Sequence, residues 1–373
     1  MTSPRILFVS STTGGGSGRS QRSLVRDLTA RGVAVRLLVD DDRPAATMRR
    51  VAERLADASV RLSSVAPIRW LESLPGRRPS TITIEDTEML ASIAPHNAAR
   101  SLIDDWRPDV VVGSSIDRYT WRRVRERCER ATIPTVLYIR EESALDHLDV
   151  EPTHTALIAN AQSLADAAIA ATNRPCTFIP SVIDTTPTLT ESSRRVALLV
   201  NPVETHGVDL VWDLADRLPD ITFVLQESWE LSEHERKHVQ AHIATRPNIE
   251  LRRRQPPGPA LYGDARVLLV PHRIDNRPRV VAEANANGIP SLVSDHGGLR
   301  EAVGEHGMVL PDDVEAWANA LQGLFSDADT YHRLCDAARQ QAARAETTPT
   351  VVVDRFEAAI ASILDDRDLR PSG

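Results

Sequence analysis

RILFVSSTTGGGSGRSQRSLVRDLTARGVAVRLLV, residues 5–39, decides the fold class. An apolar run at 6–10 suits a buried strand. The glycine-rich segment 13–18 follows, then helical spacing at Leu24, Val25 and Leu28, then a second apolar run at 33–39. Strand, glycine turn, helix and strand make a βαβ unit, whose strands pair in parallel. Working outward, residues 109–112 after Arg107-Pro108 and 135–139 after Pro134 read as further buried strands, with a helical stretch at 119–130 between them. The rhythm begins afresh with a strand at 196–200, a helix at 208–218 and strands at 222–225, 267–270, 291–293 and 308–309. The expected fold is α/β, with two Rossmann-like doubly wound domains facing each other across a cleft. Their boundaries fall at residues 1–185 and 186–350, joined by a Thr-, Ser-, Pro- and charge-rich linker at 184–194. Helices at 314–325, 329–344 and 351–364 close the chain, and the segment 351–373 is expected to pack back on the first domain.

A chain of 373 residues exceeds the size at which one core stops growing, consistent with two domains. Hydrophobic residues at 42% and charged residues at 26% argue against extensive disorder. Net charge is −8; residues 1–185 hold 24 basic and 23 acidic side chains, the remainder 20 and 29. Concentrated basic charge is absent, which excludes a nucleic-acid partner. Neither a secretory signal nor an apolar stretch long enough to span a bilayer is present, so a cytoplasmic protein without an integral membrane segment is expected. Cys128, Cys176 and Cys335 lack metal-ligand spacing and read as reduced thiols. Lys237 is the single lysine, so a phosphate-binding cation must be arginine or protonated histidine.

Four loops at strand ends carry the candidate chemistry. Gly14, Gly15, Gly16 and Gly18 precede a helix, where backbone N–H groups and the helix dipole favour an anion; a flexible turn is the plainer reading. Asn201–Gly207 occupies the mirror position in the second domain, with His206 either a phosphate contact or a solvated side chain. The third loop, PHRIDNRPRVVAE at 271–283, supplies Arg273, Arg277, Arg279, Asp275 and Glu283, although Arg279 and Glu283 are also spaced as an i,i+4 surface pair. The fourth, Arg140-Glu141-Glu142-Ser143, follows a buried strand and either faces the crevice or is solvated.

These residues resemble the GT-B-fold retaining glycosyltransferases of family 4 (glycosyl transferases group 1) over nearly the whole chain. The stretch 5–39 is similar to the family's first strand, glycine loop and helix, RPDVVVGSS to its central strand, and NAQSLADAAI and FIPSVID to the approach to its linker. DNRPRVVAEANANGIPSLVSDHGGLREAVG resembles its donor-site signature: two carboxylates with seven residues between them, a Gly-Pro turn and a double-glycine loop. The resemblance implies that Glu283 binds the donor ribose, that Asp275 bonds donor-sugar hydroxyls, and that the backbone at Arg277, Pro278 and Arg279 meets the sugar or phosphates. Asn201 and His206 stand where the family commonly places an Arg/Lys diphosphate clamp. Arg140 stands where many members carry a histidine that contacts the donor sugar.

It further implies a donor-side second domain and an acceptor-side first domain, a nucleotide-sugar donor with UDP the most frequent nucleotide, a small-molecule or glycan acceptor, and transfer with retention. Arg140, Glu141 and Asp275 would act at the reacting sugar. Gly15, Gly16, Asn201, protonated His206, Arg273, Arg277, Arg279 and Glu283 would hold the donor. No acidic pair has metal-binding spacing, so neither an obligatory metal nor any other cofactor is expected. A nucleotide-sugar 2-epimerase of the same fold, a donor-binding homologue without catalysis, and an NAD-dependent dehydrogenase are the competing readings.

Overall fold

A computed structural model describes residues 3–41, 78–151, 154–256, 258–305 and 307–368. Asp42 of the acidic run after the second strand, and residues 369–373, lie outside them.

The first domain opens with β1 (Arg5–Ser10), α1 (Gly15–Ala30) and β2 (Ala34–Asp40), then a hairpin of β3 (Ser80–Ile84) and β4 (Thr87–Ser92). It continues through α2 (Pro95–Asp105), β5 (Val110–Ser114), α3 (Arg118–Arg130), β6 (Thr135–Ile139), β7 (Ala156–Ala159), α4 (Gln162–Thr172) and β8 (Cys176–Phe178). Among the described residues these strands form a sheet in the order β3-β4-β2-β1-β5-β6-β7-β8, parallel except for β3. Alternate residues along β1 serve opposite faces: Ile6 and Phe8 join one apolar cluster, Leu7 and Val9 the other. A sheet covered on both sides needs such continuous apolar strands.

The second domain contains β9 (Val196–Val200), α5 (Val208–Arg217), β10 (Thr222–Gln226), α6 (Glu233–Ile243), β11 (Ile249–Arg252), β12 (Ala265–Val270), α7 (Arg279–Ala286), β13 (Ser291–Ser294), α8 (Gly297–Val303) and β14 (Met308–Leu310). Helices α9 (Val314–Ser326), α10 (Ala328–Ala342) and α11 (Pro349–Asp368) follow. Its strand order, β11-β10-β9-β12-β13-β14, reads 3-2-1-4-5-6 within the domain and is parallel throughout. That order reverses between β9 and β12, and in the first sheet between β1 and β5; ligands of doubly wound folds bind at such reversals. The two reversals share one cleft.

Helix α11 belongs to the first domain's core. Val352, Val353, Phe356 and Ile360 are buried with Ile6, Phe8 and Tyr138, and Phe356 stacks on Phe8 at 5.7 Å. The linker is pinned to α7: Asn287 bonds the main chain at Thr188 and Thr190, and Arg194 donates to the carbonyls of Asn287 and Gly288. Cys128 and Cys335 are buried free thiols, and Cys176 is half-buried. No described helix is long and apolar enough to cross a membrane.

Candidate active site

The cleft encloses a cavity of about 1250 Å³. Six arginines and five glutamates of the described residues line it, a locally cationic balance in a chain of net charge −8. The glycine loop, Arg19 and Arg140 come from the first domain; His206, Trp229, Arg277, Arg279 and Glu283 come from the second.

Helix starts at the cavity contrast with several elsewhere. Helices α3, α6, α9 and α10 are capped by the side chains of Asp117, Ser232, Asp313 and Asp327. Such caps satisfy amides that have no partner within the helix. Helices α1 and α7, which open onto the cavity, start at Gly14 and Pro278 with no side-chain cap. Gly15 has φ +64°, and a β-carbon there would lie 3.3 Å from Trp229 of the other domain; one on Gly16 would lie 3.5 Å from the Arg279 side chain. The positive ends of the two helices therefore approach each other, an arrangement favourable to an anion between them.

Arginines reinforce that field. Glu283 is fully buried; its Oε1 faces Arg279 Nε at 2.6 Å and Arg19 Nη1 at 3.2 Å, while Oε2 accepts from Tyr262 at 2.9 Å. One carboxylate thus answers two guanidiniums from two domains. Arg279 also donates to the Asp184 carbonyl, and its Nη1 is buried without a partner. Arg277 faces the Phe178 ring and, among the described residues, has no ion pair within 4 Å. Burial lowers its pKa, partly offset by Glu301 and Glu346. Arg140 is buried over the Tyr138 ring and, among the described residues, bonds only serine hydroxyls. Arg22 buttresses the glycine loop by donating to the Thr13 carbonyl at 2.5 Å and to Glu85 at 2.9 Å.

Of four expected donor and sugar contacts, Asn201 and His206 reach the cavity lining and Arg273 and Asp275 do not. Asn201, at φ +61°, uses its amide to hold the following turn: Nδ2 donates to Ser228, and Oδ1 accepts from the Ser228 and Trp229 amides. One of its two Nδ2 hydrogens remains for a ligand in the cavity that it lines. His206 lines the cavity from within a packed environment. Burial lowers its pKa, Val200 O lies 3.1 Å from its Nδ1, and its ring stacks on His272 at 4.2 Å. His272 is held neutral, its pKa lowered to about 3 by burial and then by His206. Arg273 is exposed, pairs with Asp209 and does not line the cavity. Asp275 also lies outside the lining; its Oδ1 accepts from Gly298 N at 2.8 Å and so caps α8.

Glu141 does line the cleft; its Oε1 accepts from Ser143, and its backbone bridges to Asn276 across the domains. Glu142 extends that strap by donating its amide to Asp275 O and accepting from Asp275 N. A second strap joins the domains at Glu301, whose oxygens accept from the amides of Gln162 and Ser163 at 2.9 and 2.8 Å, capping α4 from across the interface. The double glycine has a steric cause there. A β-carbon on Gly297 would fall 2.3 Å from Ser163, and one on Gly298 2.6 Å from Asn276 O. Sequence reading missed Arg19, Arg22, Trp229 and Tyr262. Arg19 and Arg22 had a signal in their position one and two turns inside a helix that starts at a glycine loop. Among the described residues, no group of three or more His, Cys, Asp or Glu side chains could hold a metal ion.

Comparison with known proteins agrees with this architecture. Residues 219–327 match the family described as glycosyl transferases group 1. A D-inositol 3-phosphate glycosyltransferase from Corynebacterium urealyticum is 36% identical over 88 residues, which span 23% of this chain and only 21% of that relative. The sucrose-phosphate synthase of Thermosynechococcus elongatus superposes with a TM-score of 0.76 at 13% identity, covering 97% of this chain and 100% of the other. HepE of Anabaena, solved in complex with UDP-glucose, gives 0.71 at 14% identity over 96% and 100%. The chain therefore has the two-domain fold of GT-B glycosyltransferases and carries, at residues 219–327, a glycosyl transferases group 1 domain.

Proposed function

We propose that the chain is a retaining glycosyltransferase that takes a sugar from a nucleoside diphosphate in the cleft and passes it to an acceptor on the first domain's wall. One observation carries this reading. The uncapped starts of α1 and α7 converge beside Arg277 and the Arg19–Glu283–Arg279 cluster, making a seat for a strongly anionic group. Donor binding there is supported by the group 1 family match and by the UDP-glucose complex of HepE, so UDP is the first nucleotide to test.

The residues act by positioning and by charge stabilisation. As the glycosidic bond breaks, negative charge grows on the diphosphate, and amides and arginines already aimed at it lower the barrier without reorganising. Pro278 offers no N–H, so α7 contributes through the amides that follow it. Glu141, exposed at the cavity edge, is placed to orient a sugar hydroxyl. Asp275 and Glu301 are positioning residues, because they cap helices at the domain junction. His206 and His272 contribute a stacked wall.

The test is a thermal-shift screen of UDP-, ADP- and GDP-sugars, since a ligand that binds only the folded state raises the melting point. Proton NMR of the product with the best donor follows. Transfer that conserves the donor's anomeric configuration supports the reading. Inversion would refute the stereochemistry, donor epimerisation without transfer would support the 2-epimerase, and no shift with any donor would remove the site.

A further inference from the structure

Arg140 differs from Arg19, Arg22 and Arg279 in what surrounds it, and from Arg277, which also lacks an ion pair among the described residues, in being held by hydroxyls. Arg19 and Arg279 share Glu283, and Arg22 pairs with Glu85. No carboxylate among the described residues lies within 4 Å of Arg140, although it is only 6% exposed. Its Nε donates to Ser114 Oγ at 2.8 Å and its Nη1 to Ser181 Oγ at 2.9 Å, while Nη2 donates to no described group. Serine hydroxyls orient a guanidinium without neutralising it. Burying a cation without a counter-charge is costly, so the arrangement is explained by an anion that arrives with a ligand.

Its neighbours are set for the same visitor. Ser181 Oγ receives both Arg140 Nη1 and Asn160 Nδ2, the latter at 3.4 Å, which leaves its own O–H free to donate. Asn160 is 3% exposed and its Oδ1 has no partner, an acceptor left open in the interior. Arg140, Asn160 and Ser181 all line the cavity. They come from the ends of β6 and β7 and from the segment after β8, so adjacent parallel strands present them together.

The geometry points to a second anion subsite, distinct from the diphosphate seat, that reads a carboxylate or phosphate on a sugar-like group. Arg140 Nη2 and the Ser181 hydroxyl donate to the anion, and Asn160 Oδ1 accepts from a neighbouring hydroxyl. This rests on the nucleotide-sugar reading above and adds that one of the two substrates is negatively charged. The charge belongs either to the transferred sugar, as in a uronic acid, or to the acceptor, as in a sugar phosphate.

Isothermal calorimetry on the full chain separates these sources. UDP, ADP and GDP first identify the nucleotide; the donor pair is then UDP-glucuronate against UDP-glucose, or the corresponding pair on the nucleotide that binds. The acceptor pair, measured with saturating nucleotide, is glucose 6-phosphate against glucose. The expected result is that one pair differs by at least about tenfold in favour of the anion, the usual strength of a charge-assisted contact. Arg140→Gln should erase that difference while changing nucleotide affinity by less than about threefold. Arg140→Lys, which keeps the charge but not the two-nitrogen fork, should retain part of it, and it is the variant to read if the glutamine protein fails to fold. Selectivity in the donor pair assigns the subsite to the transferred sugar, and selectivity in the acceptor pair to the acceptor. Nucleotide binding with no anion preference in either pair overturns this inference and leaves the donor site standing. Failure of every nucleoside diphosphate to bind overturns both.

Discussion

Replacing Glu283 by Gln tests the centre of the cleft, because it removes charge and little else. The amide Oε1 can still accept from Arg279 and Arg19, and the new NH₂ can donate to Tyr262, whose hydroxyl then turns to Val280 O at 3.3 Å. What disappears is the counter-charge to two guanidiniums at 2.6 and 3.2 Å. At an effective dielectric constant of about 20, each contact carries about 5–6 kcal/mol of Coulomb attraction. Water in the cleft screens Arg19, 17% exposed, more than Arg279, 5% exposed, and part of the remainder repays desolvation. Breaking a buried pair has a net cost of about 3–5 kcal/mol, and the open cleft argues for the lower end. For a domain of this size about 3 kcal/mol lowers the melting temperature by about 6–12 °C. Scanning calorimetry of the wild type, Glu283→Gln, Arg19→Met and the double variant measures both the loss and the inter-domain share, expected as a coupling of about 1 kcal/mol. A Glu283→Gln protein melting within about 2 °C of wild type would show that the cluster is not held by charge.

Four further outcomes follow from other contacts in the structure. Gly297→Ala would drive a β-carbon to 2.3 Å from Ser163 and should loosen the domain junction, seen as a lower melting temperature and a larger radius of gyration in scattering. By contrast, Gly323→Ala within α9 meets nothing within 4 Å and should raise stability by about 0.5–1 kcal/mol. Removing the inter-domain cap with Glu301→Ala should cost about 1–2 kcal/mol in denaturant titrations, and an unchanged midpoint would count against the strap. His272 has a folded-state pKa of about 3, below its unfolded value near 6.5. The unfolded chain therefore takes up this proton first as pH falls. Its contribution is whole above about pH 6.5 and is lost between there and about pH 3. His272→Phe should flatten the decline in stability between pH 7 and 5; an unaltered slope would refute the assignment.

The two sheets were legible because parallel strands covered on both faces must be continuously apolar, as β5, β6 and β9 are. The hairpin β3–β4 was not. Its turn places Glu85 and Asp86 at φ 48° and 60° without the glycine or asparagine that normally marks such a turn, and β3 is a largely polar edge. In the cleft, the glycine loop and the arginine-rich third loop announced themselves by composition. Asp275 misled for a simple reason, and Asn201 shows the same ambiguity. A side chain able to hold a ligand can equally satisfy a neighbouring amide, and only the fold shows which amide is near. Glu301 escaped notice because its partners are backbone groups 138 and 139 positions away.

The route of α11 bears on how the protein is made. Phe8 and Tyr138 leave the ribosome early, yet the aromatic ring that covers both, Phe356, is translated only after the entire second domain. At about 5–20 residues per second, the roughly 170 intervening residues impose a delay of about 10–35 s. Throughout that interval α1 covers its part of that face of the nascent first sheet, while the part under α11 stays open to chaperones and to the corresponding helix of a neighbouring chain.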